Sequence, residues 1–299
     1  MVRLTQEQKD RIVEMRRTHS LKEIAAITEI PLGTVRTICF RAGVKAPTTN
    51  SEHMSFFKLP EPQEGAGRQL AMFQEPEKRA ETGDRELDAF LWLLKVIDSG
   101  EPALIERALR AAEGMESTSE ELSDRYSRAV MASTGNIIAA AFAGFGWDNL
   151  KGRAERAIEK RIRACDAMAR FGDSIMEPTM QEYFCIEALK GLESKTYFLD
   201  ADAVDSRFMK YPHLMPGTIE DCVRELAFWS DLYWLKSAAD AGEPVSQASD
   251  REYFVWRLMT KIRPRSKDEA AMAFEFILNR DEKRELRDCS GIISNLLRA

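Results

Sequence analysis

Paired cysteines, clustered histidines, phosphate-binding glycine loops and long apolar runs are all missing from this chain of 299 residues. Each absence removes a class of function. The five cysteines (Cys39, Cys165, Cys185, Cys222 and Cys289) are scattered with no CxxC pair, and the three histidines are equally dispersed. Neither a disulfide framework nor a zinc site at standard spacing fits that distribution, and no metal is expected. No Walker loop, HExxH, GxSxG or dinucleotide fingerprint occurs, so the chain reads as a non-enzyme without a cofactor. The longest apolar stretch, Ile137–Trp147, falls well short of the roughly 18 residues that span a bilayer. Arg3, Gln6, Glu7 and Gln8 occupy the place of a signal-peptide apolar core, which makes the cytoplasm the expected location and a membrane an unexpected partner.

What is present is an uneven charge on an ordinary globular composition, 44% hydrophobic and 31% charged. Residues 1–46 carry nine Lys/Arg against five Asp/Glu, a net +4, which leaves −10 for the rest of a chain whose total is −6. A small basic head on an acidic body is the asymmetry expected where only the head meets phosphates.

The pattern predicts an all-α chain in three parts: a three-helix head over 1–45, a flexible linker over 46–83, and a helical domain over 84–299. The linker reading rests on Pro47, Pro60, Pro62 and Pro76 interspersed with Gly65, Gly67 and Gly83. Beyond it, helices are expected at 84–98, 101–114, 119–143, 151–171, 178–193, 218–241, 250–262, 267–279 and 281–297. Thr118-x-x-Glu121, Ser249-x-x-Glu252 and Ser266-x-x-Glu269 supply capping-box starts. The stretch 196–217 is expected to be irregular.

In the head, Thr5-x-x-Gln8 and Ser20-x-x-Glu23 are capping boxes that open two helices. A third follows Pro31, tolerated in a first turn where its missing donor would be unpaired anyway, and ends near Gly43. Ile24, Ile30, Val35 and Ile38 can meet in a small core, with Ala25 small enough for the third helix to cross close by. That leaves Gly33, Thr34, Arg36, Thr37, Phe40 and Arg41 facing outward. In a major groove, Arg36 suits bidentate contact with guanine, and Thr37 and Phe40 suit a thymine methyl. Arg16, Arg17 and Lys22 are expected to hold phosphates, fixing register without reading sequence.

The run Ile24-Ala25, a four-residue spacer, then Ile30-Pro31-Leu32-Gly33-Thr34-Val35 resembles the helix-turn-helix of sigma factor region 4, a module shared with resolvase-type and many phage or transposon regulators. The resemblance covers about forty residues. It implies a unit that binds double-stranded DNA, not a complete sigma factor. The turn position usually held by glycine is Glu29 here, and a left-handed non-glycine residue costs about 1 kcal/mol. A single such module ordinarily works in pairs, which makes a homodimer the expectation. RNA polymerase is a candidate partner for the body.

Five weaker signals accompany the head. Gln69-Leu70-Ala71-Met72-Phe73 resembles the short peptide that docks bacterial proteins on the replication sliding clamp, with Gln69, Leu70, Met72 and Phe73 as its contacts; an apolar spot packing on the chain itself is the competing reading. Ser55-Phe56-Phe57-Lys58-Leu59 favours the same self-docking. Arg153, Arg156, Lys160 and Arg163 share one helix face, which reads as a second DNA contact, a surface for an acidic partner or, in preference to both, a solvated face. Asp200, Asp202 and Asp205 read as a loop or helix cap rather than a magnesium site. Phe228, Trp229, Tyr233, Trp234, Tyr253, Phe254 and Trp256 recur at helical spacing and read chiefly as core.

Overall fold

The computed structural model describes residues 4–16, 19, 21–42, 49–63, 76–193, 199–279 and 289–297. Over these residues the chain is helical and contains no strand. The helices are α1 (Gln6–Met15), α2 (Leu21–Thr28), α3 (Leu32–Arg41), α4 (Ser51–Phe56), α5 (Arg85–Asp98), α6 (Pro102–Glu113), α7 (Ser119–Thr134), α8 (Ile137–Phe142), α9 (Leu150–Phe171), α10 (Met180–Leu189), α11 (Ala201–Phe208), α12 (Ile219–Ala238), α13 (Ser246–Leu258), α14 (Lys267–Leu278) and α15 (Ser290–Leu296). They fall into two compact units, one of residues 1–59, 177–233 and 243–299, the other of residues 60–176 and 234–242. The residues expected to form one helical body beyond position 84 are therefore divided between two cores. No helix among the described residues is long and apolar enough to cross a membrane.

In the second unit, α5 supplies most of the core. It is buried on two sides: Leu87, Phe90, Leu91 and Leu94 pack with Leu122 and Trp147, while Leu93, Val96 and Ile97 pack with Ile105, Ala108 and Ala154. Its start is fixed by Asp84, whose carboxylate accepts from the Glu86 and Leu87 N–H groups and also pairs with Arg125. Arg125 donates to Glu86 as well, at 2.8 Å. Hydrogen bonds from Arg125, and then from Ser117, hold the Glu86 carboxyl down at about 2. The helix expected over 119–143 is in fact two. Gly135 takes a left-handed conformation (φ 65°) that ends α7, and Asn136 caps α8 by accepting from Ile138 and Ala139.

In the body of the first unit, residues 219–233 of α12 are mostly buried although they carry Glu220, Asp221, Arg224, Glu225 and Asp231. At its centre Glu225, Arg251 and His53 are wholly removed from solvent. Arg251 Nε and Nη2 donate to the two Glu225 oxygens at 2.6 and 2.9 Å, and Nη2 also donates to the Leu214 carbonyl. His53 Nε2 lies 2.6 Å from Glu225 Oε2, and the Trp229 indole donates to Oε1 at 3.2 Å. The guanidinium is enclosed by Phe57, Phe184, Phe208 and Phe254, with ring centres 5.0–5.7 Å away. The rings offer cation–π attraction in place of water.

His53 belongs to α4, inside the segment expected to be linker. Asn50 caps α4 through Oδ1 while its Nδ2 donates to the His213 and Met215 carbonyls. Phe57 is buried against Phe228 and Trp229. Residues 49–59 are thus anchored to the body, because a buried imidazole and a buried ring outweigh the turn-forming character of the flanking sequence around Pro47 and Pro60. The self-docking expected of Ser55–Leu59 describes this segment correctly. The stretch 196–217 also departs from expectation: Asp200 caps α11 by accepting from Ala203 N–H at 2.9 Å, and buried Asp205 pairs with Arg257. Asp202 is exposed. These carboxylates are cap, ion pair and solvated surface, and among the described residues no cluster could hold a metal. All five cysteines are free and four are buried; Cys165 is half-buried.

Candidate nucleic-acid interface

The head is assembled from short helices that could not stand alone. Below about 12–15 residues an isolated helix is marginal in water, so α1, α2 and α3 depend on the core between them. That core is Ile12, Ile24, Val35 and Cys39, at most 3% exposed, with Leu4, Met15, Leu21, Ala25, Ile30 and Ile38 packed around it. Ile24 and Val35 take the central positions expected of them. Ile30 and Ile38 are half-buried at its edge. Ile12 and Cys39 complete it; the i, i+4 spacing of Val35 and Cys39 was the signal for the latter.

Local chemistry sets the helix ends. At α1 the Thr5 hydroxyl accepts from Gln8 N–H while the Gln8 side chain accepts from Thr5 N–H, the full capping box. Ser20, the start of the second expected box, lies outside the described residues. Between α2 and α3, Glu29 takes φ 56°. It adopts the left-handed turn conformation in which glycine is usual, and its side chain is exposed.

The six residues expected to face outward from α3 all do so. Gly33, Thr34, Arg36, Thr37, Phe40 and Arg41 are exposed, and the intervening Val35 and Cys39 are buried. Phe40 is 85% exposed, an unusual position for a phenyl ring that makes no use of the core. Among the described residues, neither Arg36 nor Arg41 is held in an ion pair, in contrast to the many arginines of the body. The Thr37 hydroxyl donates to Gly33 O at 2.8 Å, leaving its methyl group and oxygen lone pair to face outward. Pro31 supplies no side-chain acceptor to the first turn of α3, and its carbonyl accepts from the Thr34 and Val35 N–H groups at 2.8 and 3.1 Å, so the first-turn donors left without an intrahelical acceptor are those of Leu32 and Gly33.

Gly33 has no internal reason to be glycine. A Cβ built on it meets nothing within 4 Å. Gly33→Ala, in the first turn of α3, is expected to stabilise the fold by about 0.4–1 kcal/mol, the usual gain where alanine can adopt the native backbone conformation, and, on the DNA-binding expectation stated above, to weaken duplex binding by intruding on a close approach. Thermal unfolding and DNA titration of the same preparation read the two effects. Unchanged affinity would show that no close approach occurs at this position.

The expected phosphate contacts separate. Lys22 is exposed on α2. Arg16 is half-buried and donates to the His19 carbonyl at 3.0 Å, so part of its guanidinium closes the turn after α1. Arg17 lies outside the described residues. Glu23, beside Lys22, pairs with Arg263 of the body at 2.6 Å, which offsets a negative charge on α2. Burial, then the Arg263 charge, pushes His19 below the ordinary imidazole range, so it adds no positive charge to the head at neutral pH.

The other candidates are less open. Gln69, Leu70, Met72 and Phe73 lie outside the described residues. On α9, Arg153 pairs with Asp98, Lys160 with Asp240 and Arg163 with Glu159, and Arg163 also stacks on Trp234. Arg156 remains exposed. That face is a lattice of ion pairs rather than a row of open cations. The aromatic group splits as expected of core: Phe228, Trp229, Phe254 and Trp256 are buried, Tyr233 is half-buried, and Trp234 and Tyr253 reach the surface. Compared with protein-family models, with curated proteins and with solved structures, the chain shows no match.

Proposed function

We propose that this protein binds double-stranded DNA sequence-specifically, with α3 in the major groove, and acts as a transcriptional regulator of bacterial or phage type. The observation that carries the reading is the outer face of α3. Two arginines without ion-pair partners among the described residues, a threonine methyl and an exposed phenyl ring stand together there, on a helix held by a core on its opposite side. Those groups match what base edges offer: paired acceptors on guanine for an arginine fork, and the thymine methyl for apolar contact. Lys22 and the remaining part of Arg16 hold phosphates on either side. Residues 1–46 carry a net +4 and the rest of the chain −10, so the head is the part of the chain suited to phosphates.

Selection of bound sequences from a random duplex pool with the full-length protein tests this. Enrichment of a defined site supports the reading, and two copies of a half-site spaced by about one helical turn would show that two heads act together. Recovery of an unenriched pool at every salt concentration would overturn it.

A further inference from the structure

Five large apolar side chains stand exposed on one hairpin of the second unit. Met131 of α7 is 39% exposed, Ile137, Ile138 and Phe142 of α8 are 72%, 69% and 67% exposed, and Phe145 just beyond is 81% exposed. No charged residue occurs from Ala129 to Trp147, a run of 19 residues. This face is built rather than loose. The Gly135 N–H bonds the Met131 carbonyl at 2.9 Å, and the Asn136 side chain accepts from Ile138 and Ala139 N–H groups at 3.0 and 3.1 Å. Gly144 comes so close to α7 that a Cβ there would meet Ser123 Oγ at 1.7 Å. The small residues Ala140 and Gly144 turn inward, and the large ones are left outside.

At roughly 200 Å² for a fully exposed side chain of this size, the five present roughly 650 Å². That exceeds the ~300–600 Å² of the largest apolar patch on an ordinary monomer and approaches the ~800 Å² that each partner contributes to a standard interface. A phosphate backbone needs cations, and this run has none. The exposed rim residues Asp124, Arg128 and Asp148 carry both signs, so the surface does not repel a copy of itself. An uncharged centre within a mixed rim is self-complementary, which is what a two-fold, isologous contact requires.

We propose that the α7–α8 face is the surface through which two copies of this chain associate, so that two heads reach one DNA site. The surface follows from the hairpin; its purpose rests on the DNA-binding reading above.

Sedimentation equilibrium of the full chain tests the surface without DNA. The wild type is expected to have the mass of two chains at micromolar concentration. Ile138→Asp and, separately, Phe145→Glu are expected to have the mass of one, with unchanged helical circular dichroism. The aspartate falls in the first turn of α8, where negative charge is favourable, and position 145 lies outside any helix, so neither change attacks the fold. On a duplex selected by the wild type, the variants are expected to bind a two-half-site target at least tenfold more weakly and a single half-site equally well. A wild type that stays monomeric at the highest concentration reached overturns the surface, and so do variants that remain dimeric. Flotation of a monomeric wild type with phosphatidylcholine vesicles would assign the patch to lipid and overturn it as well. Dimers that break with these substitutions but bind no DNA leave the surface standing and remove the DNA-binding reading; a monomer that binds a selected site does the reverse.

Discussion

Arg251→Met is expected to destabilise the protein by about 3–5 kcal/mol, the usual cost of leaving one member of a buried ion pair alone. Arg251 and Glu225 are both fully buried, joined by two hydrogen bonds of 2.6 and 2.9 Å. Methionine fits the cage of four phenyl rings, so lost packing contributes little. What remains is a carboxylate held by His53 and Trp229 alone. Two further observations separate charge from packing. Adding Glu225→Met is expected to recover much of the loss, because it removes the stranded charge. The second is pH. In the wild type, burial pushes Glu225 upward, but the Arg251 charge and the hydrogen bonds from His53 and Arg251 together pull its carboxyl below the ordinary range. Its contribution is therefore fully present above the unfolded value of about 4.3 and is lost as pH falls through the lower folded value. Without Arg251 burial prevails, the folded carboxyl rises, and the variant gains relative stability on protonation. The gap between wild type and Arg251→Met, measured by urea unfolding, is expected to be widest near pH 7 and to narrow toward pH 4. A gap below 1 kcal/mol at pH 7, or one independent of pH, would show that the buried triad is not an energetic centre of this unit.

Arg36→Ala is expected to reduce affinity for the selected DNA site by about 1–3 kcal/mol, roughly 5- to 150-fold, and to relax preference at one base pair. Arg36 stands outward from α3, and truncating it removes no contact that the fold uses, so the melting temperature is expected to stay constant. Lys22→Ala makes the contrasting case. A phosphate contact carries no sequence information, so its loss weakens all duplexes nearly uniformly and lowers the slope of log affinity against log salt by about one. Titrations of matched and mismatched duplexes at several salt concentrations distinguish the two. Equal weakening by Arg36→Ala on every duplex would place that side chain on the backbone and move base reading to Arg41 or Phe40.

Much of this was legible in the sequence because it is local. The Thr5–Gln8 box, the alternation of Val35 and Cys39 with Arg36 and Arg41, and the helix starts at Asp84, Thr118 and Ser266 each depend on residues within one or two turns. The misses have two kinds of physical cause. Gly135 and Asn136 divided a helix expected to run unbroken over 119–143, through turn chemistry hidden inside an otherwise helical composition. Asp200 opened a helix in a stretch expected to be irregular, its cap signal masked by neighbouring acids and prolines. The α4 segment is the deeper case. The prolines and glycines on either side of it, Pro47, Pro60, Pro62 and Gly65, describe a tether, and the competing fact, a glutamate 172 positions away from His53, has no local signature.

The sequence by itself determined that the chain is helical and that its head is a turn-linked trio of helices with Arg36, Thr37, Phe40 and Arg41 on one outer face. Helical periodicity sorts inward from outward wherever one side of a helix is buried. Only the tertiary structure decided that Glu225, Arg251 and His53 share one dry site, that residues 49–59 belong to a core, and that Ile137, Ile138, Phe142 and Phe145 are left exposed. Apolar residues look alike in sequence whether they fill a core or face solvent, and charged groups 26 or 172 positions apart acquire one another as partners only when the chain has closed.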